Sequence, residues 1–553
     1  MVRDERCGGR YTRLMKKVKK VLKKIEPQKA PLNNFKDIIN FYRLNWTILL
    51  LIVVIATIAY ANSLGGQFVS ADDISSIVQN QRLRDFPNVV KSLNFTSSYA
   101  SALINVFGVV PLPFHLTALL VHILNAFLVL LLTYILFGRR PALYASLIFS
   151  VLPTGSEALF WISGMVYMFI TFFSLLCINL YFIYRSTKNW RFLALSVFIY
   201  LIALILMQTP WMLTVPFIIF SLDLFTVSPI LNLLNLRKAG NFILLLKDRW
   251  SYAIYLLCLA VFWLVWIGGQ YSKRVTGLVL DYYSSSDSTP LIKRLPYTIY
   301  KTVELYIFPN RLSFFHEEDL TTDMYVYMIA VSALLMFLIV YLIYKKSKYA
   351  GLVLAIAASV APTFSPVQVA WFVAERYLYL GSALFAMILS LIIIKVDYRY
   401  TIKNLANYIL VTLLLLYSVR LFIRAGDFKS SKTLWTATQK TAPISYRVYN
   451  NLGDVYSNEQ NWEMAIASFK TAIQIAPNYY DAIHNLGYTY MLMGDYENAK
   501  KYLLESYQIN NNLYQAVEKL GQIELKQGNK EKAKEYFNKA LEINPNLTGL
   551  PKL

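Results

Sequence analysis

Four stretches of the chain carry residue types that could do chemistry. The first is Gly65–Asn80, GGQFVSADDISSIVQN, where Asp72 and Asp73 stand side by side just after a long apolar run. Adjacent carboxylates repel each other, and ionisable groups near hydrocarbon are costly, so insertion into a membrane does not need them. Such a pair can supply a general base or hold a divalent cation such as Mg or Mn. The plainer reading is a solvated loop acid followed by a helix N-cap, with Asp73 capping Ile74–Val78. The second stretch is Ala374–Leu380, AERYLYL, with Glu375 and Arg376. A guanidinium presents a fork of donors that suits phosphate oxygens; the plainer reading is a contact of Arg376 with Glu375 or a lipid headgroup. The third is Pro153–Gly164, PTGSEALFWISG, where Glu157 is either a working acid or an interfacial acid that marks a loop. The fourth is Tyr306–Phe314, YIFPNRLSF, which offers Arg311 as a second phosphate partner.

Weaker signals surround these. His115 and His122 are seven residues apart on one helix face, a pattern more often packed or hydrogen-bonded than ligating. His316, Glu317, Glu318 and Asp319 could bind a cation, but a charge run in a loop is usually solvated. Cys7, Cys177 and Cys258 suggest neither a disulfide nor a zinc site. Asn94-Phe-Thr96 and Asn546-Leu-Thr548 match glycosylation sequons, which matter only in a compartment that glycosylates them.

The elements that must position these groups are apolar helices. The 553 residues are 56% hydrophobic and 15% aromatic, too apolar for one soluble domain of this length. The formal net charge of +22 would suggest nucleic acid in a soluble protein. Here the basic residues form an N-terminal tail and short clusters between apolar runs, which is topology information and argues against a nucleic-acid partner. The tail, residues 1–43, suits the cytoplasm and anionic lipid headgroups, and its long basic region does not resemble a cleavable signal peptide. Apolar runs fall near 44–64, 114–137, 141–153, 164–184, 192–208, 211–227, 251–269, 324–344, 349–365, 377–395 and 405–422. With the basic clusters on one side, about eleven crossings are expected over 44–423, with the N-terminus inside and the C-terminus outside. Loops 62–113 and 270–323, and the short link at 153–164, then face outward. A multi-pass protein of a prokaryotic plasma membrane is the expected setting.

After Arg424 the composition turns soluble, and an internal repeat sets in. Gly453, Gly487 and Gly521 recur every 34 residues, as do Ala465, Ala499 and Ala533. Each Gly follows a Leu, and Phe469, Leu503 and Phe537 hold the next large position. This is the tetratricopeptide pattern, in which small residues let antiparallel helices approach and large ones fill the groove between them. Residues 424–553 divide into repeats 446–479, 480–513 and 514–547. A degenerate half-repeat containing Trp435 and Pro443 precedes them and would dock the array on the membrane domain. Such arrays serve as spacers or bind peptides on their concave face.

Taken in order, five pieces carry a resemblance. Phe68–Asn80 resembles the first outer loop of the transmembrane and TPR-repeat-containing O-mannosyltransferases and their prokaryotic relatives, members of the GT-C glycosyltransferase fold. Pro113–Leu124 resembles the start of that family's second helix, Pro153–Gly164 its P..TEA..WISG link, Tyr306–Phe314 its LLFPWRLSF, and Ala374–Leu380 its AERVLYLPS. The chain departs from the family at Leu152, at Met165-Val166-Tyr167 and at Gln208-Thr209, three polar positions near the implied site.

The resemblance implies an all-α protein: a GT-C-like polytopic membrane helix bundle followed by a soluble TPR α-solenoid. It implies transfer of a sugar from a polyprenyl (undecaprenyl or dolichyl) phosphate donor to a hydroxyl acceptor on a protein or peptide held by the TPR domain, with inversion, on the extracytoplasmic face. Asp72 would be the base, Asp73 or a cation shared by both acids would support it, and Arg376 or Arg311 would hold phosphate. Glu157 would stand with the catalytic acids, and Glu375 and His115 would support the site. The alternatives are a non-catalytic TPR scaffold for an envelope complex and a lipid-linked-sugar transporter. A transporter fits less well, because the acids gather at one face rather than at the bilayer midplane.

Overall fold

The computed structural model describes residues 32–70, 72–227, 250–262, 291–316, 322–364, 373–399, 404–545, 547 and 549–551, and contains no β-strand among them. Most of the N-terminal basic tail, residues 270–290 of loop 270–323, the segment before Val373, residues Glu317, Glu318 and Asp319, and the sequon residues Asn546 and Thr548 lie outside the described residues.

Helix α1 (Phe35–Leu44) opens with a capping box, in which Asn34 accepts from the Asp37 N–H and Asp37 reaches back. It leads into α2 (Trp46–Tyr60). Helices α3 (Phe95–Phe107), α4 (Pro111–Phe137) and α5 (Arg139–Phe149) follow. Two prolines sit in the first turn of α4, where a missing N–H costs nothing, and Gly138 at φ +93° ends it. Then come α6 (Val166–Thr187), α7 (Trp190–Met207), α8 (Val215–Leu222), α9 (Trp250–Phe262), α10 (Leu291–Ile307), α11 (Thr322–Tyr344), α12 (Lys348–Val360), α13 (Tyr379–Arg399) and α14 (Leu405–Asp427).

Among the described residues, seven segments are long and apolar enough to cross a membrane: Trp46–Ser63, Pro111–Phe137, Ile162–Thr187, Trp190–Met207, Thr322–Tyr344, Glu375–Asp397 and Leu405–Asp427. The described parts of the eleven apolar runs fall largely on helices, but those near 141–153, 211–227, 251–262 and 349–364 lie on shorter ones. The α4, α6 and α13 segments are 78%, 72% and 78% buried and form the centre, whereas α11 is 6% buried and peripheral. Lipid tails are as apolar as leucine, so polar bonds help join the inner helices. Asn125 Nδ2 donates to Met168 O (3.1 Å) and Asn179 Nδ2 to Leu128 O (3.1 Å), both between α4 and α6.

The link 153–164, expected at the outer surface, is interior: every residue is buried except Ser163, which is half-buried. Gly155 turns it at φ +94°, and a Cβ there would stand 3.0 Å from Tyr379 Cα. Its polar groups find partners inside the protein. Thr154 Oγ1 donates to Leu305 O (2.8 Å), and Ser382 Oγ donates to Thr154 O (2.9 Å).

Beyond α14 the chain forms α15 (Ser431–Thr441), then the hairpins α16–α17 (Tyr446–Asn458, Trp462–Ile475), α18–α19 (Tyr480–Met493, Tyr496–Ile509) and α20–α21 (Tyr514–Lys526, Lys530–Ile543). Leu452, Leu486 and Leu520, and Ala465, Ala499 and Ala533, are buried between them. Helix α15 packs on the membrane bundle, with Trp435 1% exposed.

Candidate active site

A cavity of about 280 Å³ opens where the loop after α2 meets the 153–164 link, near the lower end of the ~300–1,000 Å³ typical of small-ligand pockets. Its wall includes Asp72, Ser76, Thr96, Tyr99, Trp161 and Ser163, and among the described residues Asp72 is the one charged group on it. Asp72 is exposed at the surface. The protein packed around it nevertheless raises its carboxyl above the ordinary value, while the positive field of Arg376 pulls it down.

Asp73 is fully buried and has a different task. Its Oδ2 accepts from the Val69 N–H (3.0 Å), and its Oδ1 accepts from the Ser163 N–H (2.8 Å) and the Ser163 hydroxyl (2.5 Å). Burial pushes its pKa up to about 6 against these bonds, and the neighbouring charge of Asp72 adds to the rise. The expected cap is not formed: the Asp73 side chain makes no capping bond to Ile74–Val78, a π-helical turn. It pins the loop to the link instead. With three donors on its oxygens, Asp73 has little capacity left for a cation, which would fall chiefly to Asp72. Among the described residues, no group of three or more His, Cys, Asp or Glu converges on a possible metal position.

Arg376 and Glu157 form a buried ion pair. Arg376 Nη1 bonds Glu157 Oε1, and the Arg376 backbone N–H donates to Glu157 Oε2 (3.2 Å). This partner was not expected; spacing suggested Glu375 or a lipid headgroup, and an interfacial position for both Arg376 and Glu157. Instead Arg376 is 4% and Glu157 0% exposed. The guanidinium carbon lies 5.0 Å from the Trp161 ring and 4.8 Å from the Tyr377 ring. Tyr167 and Trp211 complete the aromatic surround, with Trp211 4.8 Å from the Tyr377 ring. Trp161 thus stands between the Asp72 cavity and the Arg376 cation.

Glu375 anchors a second network. Its Oε1 accepts from the Ser313 N–H (2.6 Å) and Arg424 Nη2 (3.1 Å), and its Oε2 accepts from the Ser156 hydroxyl (3.2 Å). Arg424 also reaches Asp427 (3.0 Å). His316 Nε2 stands 3.8 Å from Glu375 Oε1 without a hydrogen bond, and burial with the nearby cations Lys301, Arg424 and Arg376 holds its pKa well below the ordinary value.

The other expected groups lie apart. His115 is buried beneath the loop, where a Cβ on Gly66 would come 3.0 Å from Nε2. Neither of its ring nitrogens makes a hydrogen bond among the described residues. His122 is a core residue, bonded to Tyr379 Oη (2.6 Å) and Ser150 O (3.2 Å). Arg311 is exposed. Asn94 serves as the cap of α3, accepting from the Ser97 N–H (2.9 Å), while Thr96 of the same sequon lines the cavity. Sequence reasoning passed over Ser163, Ser313, Tyr377 and Arg424. Only Arg424 carried a signal, a basic residue three before Asp427 at the end of an apolar span.

Tetratricopeptide repeat models match residues 446–479 and 479–546. Over 460 residues, 77% of this chain and 62% of the relative, the chain is 24% identical to protein O-mannosyl-transferase F38B6.6 of Caenorhabditis elegans. It is 30% identical to protein O-mannosyl-transferase TMTC3 of Homo sapiens over 107 residues, 19% of this chain and 12% of that one. The chain therefore spans less than two thirds of either relative. Among solved structures, the archaeal oligosaccharyltransferase AglB from Archaeoglobus fulgidus, in complex with an inhibitory peptide and a dolichol-phosphate, aligns with 76% of this chain and 59% of its own at 11% identity and TM-score 0.35. MamA aligns with 25% of this chain and 78% of its own at 23% identity and TM-score 0.20. The C-terminal region is a tetratricopeptide-repeat array, and the chain ahead of and including it is similar to curated protein O-mannosyl-transferases.

Proposed function

We propose that this protein is a membrane glycosyltransferase that moves one sugar from a polyprenyl-phosphate donor to a hydroxyl of a protein acceptor, on the extracytoplasmic face and with inversion. The observation that carries the reading is the cavity in which Asp72 is the one charged wall residue, separated by Trp161 from the buried Arg376. In this reading the acceptor oxygen attacks the anomeric carbon, and its proton passes to Asp72. The bond from that carbon to the phosphate oxygen breaks, and the lipid phosphate leaves with the electron pair, in the positive field of Arg376. A carboxylate raised above its ordinary value is better matched to a hydroxyl proton than a solvated one. Similarity to the curated O-mannosyl-transferases supports the class of reaction. The repeat array would hold the acceptor.

Asp72→Asn tests this, because it keeps the shape and removes the basicity. Sugar transfer by the purified protein in lipid should fall by roughly 10²–10⁴-fold, the usual contribution of general base catalysis, while donor binding persists. Full transfer by a folded Asp72→Asn protein would remove Asp72 from the chemistry, and no transfer by the unmodified protein would leave the scaffold reading ahead.

A further inference from the structure

Helix α15, which leads into the repeat array, is bonded to both halves of the candidate site. On one side the Trp435 Nε1–H donates to Ser70 Oγ (2.9 Å), and the Ser70 N–H donates to Ser431 Oγ (2.8 Å). Just before the helix, Lys429 O accepts from the Gln67 N–H (3.0 Å). On the other side the Thr441 hydroxyl donates to Ser313 Oγ (2.7 Å), and the Ser313 N–H is the donor that holds Glu375, the neighbour of Arg376. The Trp435 ring lies 5.3 Å from Phe314 and 5.4 Å from Phe315, and Phe314 in turn packs 5.1 Å from Trp161 on the cavity wall.

A tryptophan this buried could serve packing alone. Its indole N–H, however, is directed at Ser70, two residues before Asp72, and Ser70 is returned to the same helix through its own N–H. The other anchors of that loop are the Gln67 N–H on Lys429 O and the bonds of Asp73 with Val69 and Ser163. Releasing Ser70 would remove the anchor nearest Asp72 on its N-terminal side. We propose that Trp435 is a positioning residue that sets the place of Asp72 in the cavity through Ser70, so that the first helix of the repeat region is part of the active centre. The catalytic half of this proposal rests on the glycosyltransferase reading; the structural half does not.

Trp435→Phe keeps the ring and removes the donor, and Ser70→Ala removes the acceptor, so each variant covers for a folding failure of the other. Both are compared with the double variant in the full chain in lipid nanodiscs. Transfer kcat should fall about ten- to a hundred-fold, the scale of loss from misplacing a reacting group, with KM for donor and acceptor unchanged. The double variant should be no worse than the worse single one, because one bond is lost in each. Amide exchange should quicken at Gln67, Val69, Ser70 and the turn after Asp72 and stay unchanged in the repeat hairpins. Unchanged exchange in the loop, fully additive losses, or normal kcat despite a loosened loop would each overturn the proposal. If the unmodified protein transfers no sugar, the enzyme reading fails, and the exchange pattern alone decides whether Trp435 holds the loop.

Discussion

Asp72 and Asp73 are chemically identical neighbours with opposite surroundings, one exposed on a cavity and one with every oxygen occupied. Asp73→Asn would turn an NH₂ toward donors that need an acceptor, so it should cost about 1–3 kcal/mol of stability, read as a lower melting temperature in lipid. Its pH dependence has a definite sign. The native carboxyl titrates at about 6 against an ordinary 3.8, so between those values the folded state holds a proton that the unfolded chain has lost. This group's contribution to stability therefore declines as pH rises from about 4 to about 6 and is level above that. The melting-temperature gap between wild type and Asp73→Asn should vary across that window and be constant at higher pH; a constant gap throughout would contradict the assignment. For the buried pair, Glu157→Gln should cost ~3–5 kcal/mol by stranding the Arg376 charge. Adding Arg376→Gln should restore much of that loss in a thermal melt yet leave donor binding weak, if Arg376 meets phosphate. Normal donor affinity in the folded double variant would move that role elsewhere.

At the scale of elements, what was legible in the sequence depended on period. The repeat hairpins announce themselves because Gly453, Gly487 and Gly521 return every 34 residues, and the contact that demands glycine is local. A Cβ on Gly453 would lie 2.5 Å from Phe469 Cε1 of the paired helix. Gly453→Ala should therefore overpack the first hairpin and cost ~1–3 kcal/mol in the melting of the repeat array, and Phe469→Leu in the same chain should recover part of it. The apolar runs were likewise readable as helices. The link 153–164 was not, because nothing in its composition distinguishes a buried turn from an interfacial loop. Its fate is decided by partners far along the chain: Arg376 stands 219 residues from Glu157, and Ser163 stands 90 from Asp73. Sequence could propose Asp72, Arg376 and Glu157 as groups worth watching. It could not say that two of them pair with each other, or that Asp73 is a brace rather than a cap, since each depends on a tertiary contact with no local pattern.

At the scale of the whole molecule, the bonds from α15 to Ser70 and Ser313 require the repeat array and the Asp72 loop to lie on the same side of the membrane. The proposed orientation makes that side the outer one and puts Lys345, Lys346 and Lys348, just past α11, inside with the N-terminal tail by the positive-inside rule. Three proteins with one accessible cysteine each test this once Cys7 and Cys258 are replaced by serine; Cys177 is buried and silent. Asn478→Cys lies on the repeat array, Ser75→Cys on the turn after Asp72 and Lys345→Cys between α11 and α12, and all three positions are exposed. On intact cells a membrane-impermeant thiol reagent should label the first two and reach the third only after permeabilisation. The same three results in reverse would turn the protein over in the membrane and place the chemistry on the cytoplasmic face, against the proposed extracytoplasmic reaction. Labelling of Asn478→Cys and Ser75→Cys from opposite sides would be the more damaging outcome. It would break the contact between α15 and the Asp72 loop, and with it the role of Trp435, whatever reaction the membrane bundle performs.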